Sequence, residues 1–332
     1  MQHSDLRMTR RALMAAASAG LLAAPARAAT EWQLFTSQNR TAPIALGVLE
    51  RLLAEAPART NNALTIELKT AGTLPIRSTA VADAVAAGKV QLGDDTYFPA
   101  VLPPGGMLRM PGLVLNADEL QEVLPIQQEY LTAAFAKLKI VVLGYYVSAP
   151  QIIFSSRKVL SIEDLRGLVV RTTTSEQSQA VLRLGGVAVS MTPSELTAAL
   201  EAGTVQGVFG TPAIVGRQWK ERLTFASRIT PVLSDGVILG NRAALAALPE
   251  TVRAAVTKLG ADIAAEITNG RIADNDAAMK ELVAGGLRIV DPLPDDIAAA
   301  TRRLTPFWEA MAGARGKDGN DILAAMRLAL GR

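Results

Sequence analysis

An α/β protein of two lobes, with mainly parallel sheets flanked by helices and one long helix spanning both lobes, is the architecture this sequence predicts. Three observations lead there. Strand and helix patterns alternate in two separate stretches, each in the order β-α-β-α-β, which implies a parallel sheet with helices on its faces. A helical pattern then runs from Pro249 to about Ala284; at 1.5 Å per residue it would extend roughly 50 Å, more than one lobe's width. The 332 residues, 49% hydrophobic and 20% charged, suit one or two ordinary globular domains. Two lobes tied by a shared element imply a cleft between them.

In the first stretch, "EWQLFTS" (Glu31–Ser37) reads as a strand, and residues 43–56 carry Leu46, Leu49, Leu52 and Leu53 at helical spacing. "ALTIELKT" (63–70) alternates apolar and polar residues with period two. Residues 78–88 form an alanine-rich helix ended by Gly88, and "KVQLGD" (89–94) is a third strand. In the second stretch, "IVVLGYYV" (140–147) and "QIIFSS" (151–156) are strands. "SIEDLRG" is a short helix capped by Ser161, "LVVRT" a strand, 175–184 a helix and "VAVSM" (187–191) a strand. Thr192-Pro193-Ser194-Glu195 is a capping box with proline at the first helical position; Gly203 ends that helix and "VQGVFG" (205–210) is a strand. No sequence repeat links the two stretches. The long run contains Gly260 and Gly270, so it is either one helix lying across both lobes or two helices broken at Gly270.

Residues 1–28 read as an export signal: a basic start at Arg7, Arg10 and Arg11, an apolar run from Ala12 to Ala24, and a small-x-small cleavage site at Ala26-Arg27-Ala28. The run is too short to span a bilayer. Thr9-Arg10-Arg11-Ala12-Leu13 also resembles a twin-arginine signal. The leader's Arg7, Arg10, Arg11 and Arg27 against its single Asp5 account for the whole formal charge of +3. The remainder is near neutral, which, with 4% aromatic residues, removes the footprint of a nucleic-acid binder.

There is no cysteine, and the one histidine, His3, lies in the leader. The rest of the chain therefore cannot build a Cys/His zinc site, a Ser-His-Asp triad or a Cys-His pair. No phosphate-binding glycine motif is present, and "KDGND" lacks the spacing of a calcium loop. No cofactor is expected. Adjacent Asp94 and Asp95 keep an exported carboxylate-dependent hydrolase as a distant alternative.

The stretch "SIEDLRGLVVRTTTSEQSQAVLRLGGVAVSMTPSELTAALEAGTVQGV" resembles the hallmark region of the DctP-type solute-binding proteins of TRAP (tripartite ATP-independent periplasmic) transporters. The family's helix start is matched by Asp164-Leu165-Arg166-Gly167 and its arginine-ended strand by Val169-Val170-Arg171. Leu184-Gly185-Gly186, Glu195 to Gly203 and Val205-Gln206-Gly207 match the segments that follow. "AGTLPIRSTAVADAVAAGKVQLGD", "MPGLVLNADEL" and "LGNRAALAALPETVRAAV" resemble further family segments, in the family's order.

The resemblance implies a periplasmic-binding-protein fold, with residues 30–148 and about 237–275 in one lobe and 149–236 and about 276–332 in the other. It implies an exported, non-enzymatic protein, cleaved near Ala28, that captures a small organic acid in the periplasm and passes it to a small and a large integral-membrane subunit. Service to a sensor or another importer is the alternative within the same fold. Monomer and dimer both stay open. Arg171 is the position whose arginine, in the family, makes a bidentate salt bridge to the ligand carboxylate; a charge that cannot be shed at the end of an apolar strand fits that role. Candidate lining residues, ranked by position at strand ends, are Gln38, Asn39, Asp95, Thr96, Tyr97, Gln151, Phe209, Gly210 and Thr211. A family branch that binds sialic acid has a second arginine where this chain has Gln151 and an asparagine where it has Gly210; Gln206 replaces an aspartate. These departures point to a smaller or more apolar monocarboxylate. Trp219 is expected to pack, and Glu195 to serve its capping box.

Overall fold

The computed structural model describes residues 30–38 and 42–332, so the expected leader and Asn39 lie outside the described residues. The first stretch forms β1 (Thr30–Thr36), α1 (Pro43–Ala54), α2 (Ala56–Arg59), β2 (Leu64–Lys69), α3 (Val81–Ala86) and β3 (Leu92–Asp95). A long helix without a clear sequence signal follows, α4 (Ala117–Lys137), and then β4 (Ile140–Val147) and β5 (Gln151–Ser155). The second stretch gives β6 (Val169–Arg171), α5 (Ser175–Arg183), β7 (Val187–Val189), α6 (Pro193–Glu201) and β8 (Gly207–Gly210). Next come β9 (Phe225–Val232), β10 (Asp235–Asn241), α7 (Arg242–Ala246), α8 (Glu250–Ala284), β11 (Arg288–Val290), α9 (Pro294–Ala314) and α10 (Gly316–Ala329).

The two β-α-β-α-β stretches fold alike. β1 lies between β2 and β3, parallel to both, and β6 lies between β7 and β8, parallel to both. Each trio is then completed by antiparallel strands, which makes the sheets mixed. The first sheet runs β2-β1-β3-β10-β4 and the second β11-β9-β5-β8-β6-β7. The chain thus passes from β4 to β5 through residues 148–150, and from β9 back to β10 through 233–234. Each crossing delivers the antiparallel strand beside β8 or β3. The Ser148 amide donates to the Ser234 carbonyl at 2.8 Å, joining the two crossings. The likeness of pattern seen in the sequence becomes a likeness of topology.

Both faces of each sheet are covered. α1 and the first half of α8 bury one face of the first sheet around Leu34, Leu49, Tyr146 and Ile263; α3 and α4 bury the other around Phe35, Phe98 and Phe135. α6 and Leu282 of α8 close one face of the second sheet, while α5, α9 and α10 close the other. Met107 to Val123, from the first half of the chain, pack into this last cluster.

The long helix is a single element of 35 residues that packs into a core on each side of the crossings. Its glycines do not break it. Gly260 lets the helix backbone touch β4 at Leu143, and a side chain at Gly270 would come within 2.8 Å of Ile44. They are places of close approach.

Candidate functional site

A cavity of about 810 Å³ opens between the sheets, at the edge where β6 and β8 end and β5 begins. That edge is where open α/β sheets take their ligands. The second sheet contributes Gln151, Arg171, Phe209, Gly210 and Thr211; the crossings contribute Ser148 and Ser234; α8 contributes Arg271, Asp274 and Asn275.

Local chemistry explains the run after β6. Arg171 ends the strand with its guanidinium in the cleft wall. Thr172 is buried and bonds Ser178 at 2.7 Å; Thr173 donates from both amide and hydroxyl to Gln177; Thr174 caps α5 by accepting the Gln177 amide. The three threonines after Arg171 are therefore engaged in holding the strand-to-helix turn.

Arg171 itself donates Nε–H and one Nη2–H to the Met191 carbonyl, at 3.3 and 3.2 Å. A guanidinium has five N–H donors. The edge formed by Nη1 and the other Nη2 hydrogen stays free, which is the edge a carboxylate takes end-on. No carboxylate pairs with it among the described residues, and burial alone holds its pKa below the usual guanidinium value.

Gln151 starts β5 on the same edge. Its Oε1 accepts from buried Gln177 at 2.8 Å, which fixes the side chain. Gly210 is required by packing: a Cβ there would come within 2.7 Å of Val215 Cβ, so the turn over Pro212–Gly216 folds directly onto the strand end. The Asn275 side-chain Oδ1 accepts the Ala213 amide at 3.2 Å and ties that turn to α8. Phe209 is buried beneath the floor.

The first-sheet candidates sit differently. Asp95 is 1% exposed and accepts the amides of Ala82 and Tyr97, so its carboxylate organises the loop after β3. The Thr96 carbonyl accepts from Arg109 at 2.9 Å, and the Tyr97 side chain is 51% exposed. None of these three lines the cavity. Gln38 reaches it indirectly: its amide donates to Asp94 at 2.9 Å and accepts from Arg271 at 3.1 Å. Asp94 is buried and receives Thr36, Gln38 and Tyr146, so the two adjacent aspartates serve the interior and present no acid–base pair to the cleft. Trp219 is buried and donates to Thr197, and Glu195 closes its capping box with Thr192.

Arg271, Ser148, Ser234, Asp274 and Asn275 went unnoticed in the sequence. Asp274 pairs with Arg217 at 2.7 Å, and Arg217 also reaches Glu281. An arginine on a long helix carries no signal of its own; only the pattern that lays the helix across both lobes could have pointed to Arg271.

The sequence matches the DctP model, bacterial extracellular solute-binding protein family 7, over residues 36–314. Two lobes around a lined cleft define a solute receptor, and the chain belongs to the DctP family, the binding components of TRAP transporters, which are receptors and not enzymes. Solved structures agree on the fold. An extracytoplasmic solute receptor of Bordetella pertussis that binds pyroglutamic acid is 21% identical, with 90% of this chain and 100% of that one covered and a TM-score of 0.71. A TRAP periplasmic solute-binding protein of Chromohalobacter salexigens, with bound D-glucuronate, is 18% identical over 90% and 99%, TM-score 0.72. One from Desulfovibrio salexigens, in an open complex, is 20% identical over 90% and 95%, TM-score 0.77.

Proposed function

We propose that this protein is the periplasmic binding subunit of a TRAP transporter, exported with cleavage near Ala28, and that it captures a small organic acid anion through Arg171. The free end-on edge of that guanidinium, facing the cavity without a carboxylate partner, carries the reading. Gln151 and Thr211 supply polar contacts, Phe209 and Gly210 the floor. The lobes, 30–148 with about 237–275 and 149–236 with about 276–332, hinge at the two crossings and shut on the ligand. On the opposing side Gln38 holds Arg271 at the cavity wall. Moving such an equilibrium from mostly open to mostly closed needs about 5 kcal/mol of differential affinity, within reach of a desolvated bidentate pair and a few hydrogen bonds. The closed form then delivers its cargo to the small and large membrane subunits. The named ligands of the similar structures, pyroglutamic acid and D-glucuronate, support an acid as cargo.

A thermal-shift screen of organic acids tests this. An acid at a hundred times its dissociation constant should add about 2.7 kcal/mol of stability. Arg171→Ala should abolish that gain while leaving ligand-free melting nearly unchanged. A gain that survives the substitution overturns the assignment.

A further inference from the structure

Arg271 is a second cation of the cleft, and it comes from neither sheet. It projects from α8; Nη1 donates to Ser148 Oγ at 2.7 Å, Nη2 to Gln38 Oε1 at 3.1 Å, and the guanidinium carbon lies 5.2 Å from the centre of the Tyr146 ring. All three partners are neutral. Gln38 and Tyr146 each donate to buried Asp94, so a carboxylate orients the groups that hold the arginine without pairing with it. No ion pair to Arg271 occurs among the described residues, and three of its five donors remain for a ligand.

We propose that Arg271 is a second recognition group of the cleft, receiving an anionic oxygen group at the end of the ligand remote from Arg171. The inference rests on the reading of Arg171 as the carboxylate anchor, and it revises the monocarboxylate expected from the absence of an arginine at position 151. Charge leads to it. Three arginines and one aspartate carry the charge of the lining, and that aspartate is taken by Arg217. A monoacid on Arg171 would leave Arg271 with only buried Asp94, across Gln38 and Tyr146, as a nearby negative charge while closure removes water, which is costly in a low-dielectric cleft. A second anionic group offsets it.

Preorganisation leads the same way. Stacking on Tyr146 and two fixed hydrogen bonds hold the planar fork in place before any ligand arrives, so little freedom is lost on binding. Ile44, Phe209 and Ile214 share the lining and suit a short carbon skeleton between polar ends. Because Arg271 is bonded to Ser148 in a crossing, a ligand held there would also pull directly on the hinge.

Calorimetric titration of the mature protein with matched acids tests the idea: propanoate against malonate, butanoate against succinate, pentanoate against glutarate. The wild type should bind at least one diacid roughly tenfold or more tighter than its monoacid partner. Arg271→Gln should bring that ratio close to one, and Arg271→Lys, which keeps charge but loses the fork, should restore part of it. Ligand-free melting and circular dichroism check that the variants fold; where one does not, the wild-type ratio decides. A wild-type ratio near one, or a ratio unchanged in folded Arg271→Gln, overturns the role of Arg271 and leaves the carboxylate reading standing. Failure of every acid, in these titrations and in the wider screen, overturns both.

Discussion

Gly144 of β4 and Gly260 of α8 meet backbone to backbone. A Cβ on Gly144 would collide with the Gly260 carbonyl oxygen and come within 2.7 Å of the Ala264 methyl; one on Gly260 would collide with Leu143 Cβ. Alanine in place of a helix glycine ordinarily gains about 1 kcal/mol. Here the clash wins, because both elements are anchored by the Leu49–Ile263 core. Gly260→Ala should therefore lose about 1–3 kcal/mol, read as a lower urea midpoint. An unchanged or raised midpoint would show that the helix can lift off the strand at no cost.

Arg171→Lys keeps a positive charge at the cleft but offers no planar pair of donors. Its acid affinity should fall by roughly a hundredfold, in keeping with the loss of a charge-assisted bidentate bond. Titration calorimetry against the best acid from the screen measures it. Near wild-type affinity would mean that charge alone suffices there.

Stability should depend on pH through Asp95. Burial pushes its carboxyl up to about 7, with Asp94 adding to the shift and the amides of Tyr97 and Ala82 opposing it. The folded protein thus keeps a proton that the unfolded chain, at the ordinary value of 3.8, gives up. The stabilisation is fully present below the unfolded value and is lost as pH rises toward 7. Across that window the wild type should lose a few kcal/mol relative to Asp95→Asn, whose amide stands in for the neutral acid. Urea midpoints at stepped pH check it, and parallel curves for the two proteins would refute it.

Asp235 anchors β10 at the second crossing. Its buried carboxylate receives Arg109 at 2.6 Å, Tyr145 at 2.7 Å and Gln127 at 3.2 Å. Asp235→Asn leaves the guanidinium without its counter-charge and sets an amide against donors. The expected loss is about 3 kcal/mol, the low end for a broken buried pair, since Arg109 keeps some contact with water. Denaturation at neutral pH measures it.

What was legible in the sequence follows from physics. Both β-α-β-α-β stretches are legible because their strands are short apolar runs bounded by glycines and helix caps, with clear period two only in β2. β10 is buried along its whole length, so it leaves no period-two trace, and β9 has only one exposed residue. α4 hides a helix behind internal Pro125 and a fully buried Gln127. Arg171 stands out because a permanent charge is out of place at the end of an apolar strand. Arg271 does not, because an arginine on a helix ordinarily faces water; the strand-exchanging topology turns this one inward. Gln38 matters through Asp94 and Arg271, a relay among side chains distant in the chain.

The exchange of strands between the two sheets governs how the chain can mature. As it leaves the ribosome, β3 has β1 on one side and nothing on the other, because β4 pairs only with β10. That unpaired edge stays open until residue 241 has been made, and open edges attract other extended chains. A chain that ends between β3 and β10 therefore keeps that flank of β3 unpaired, where another extended chain can add.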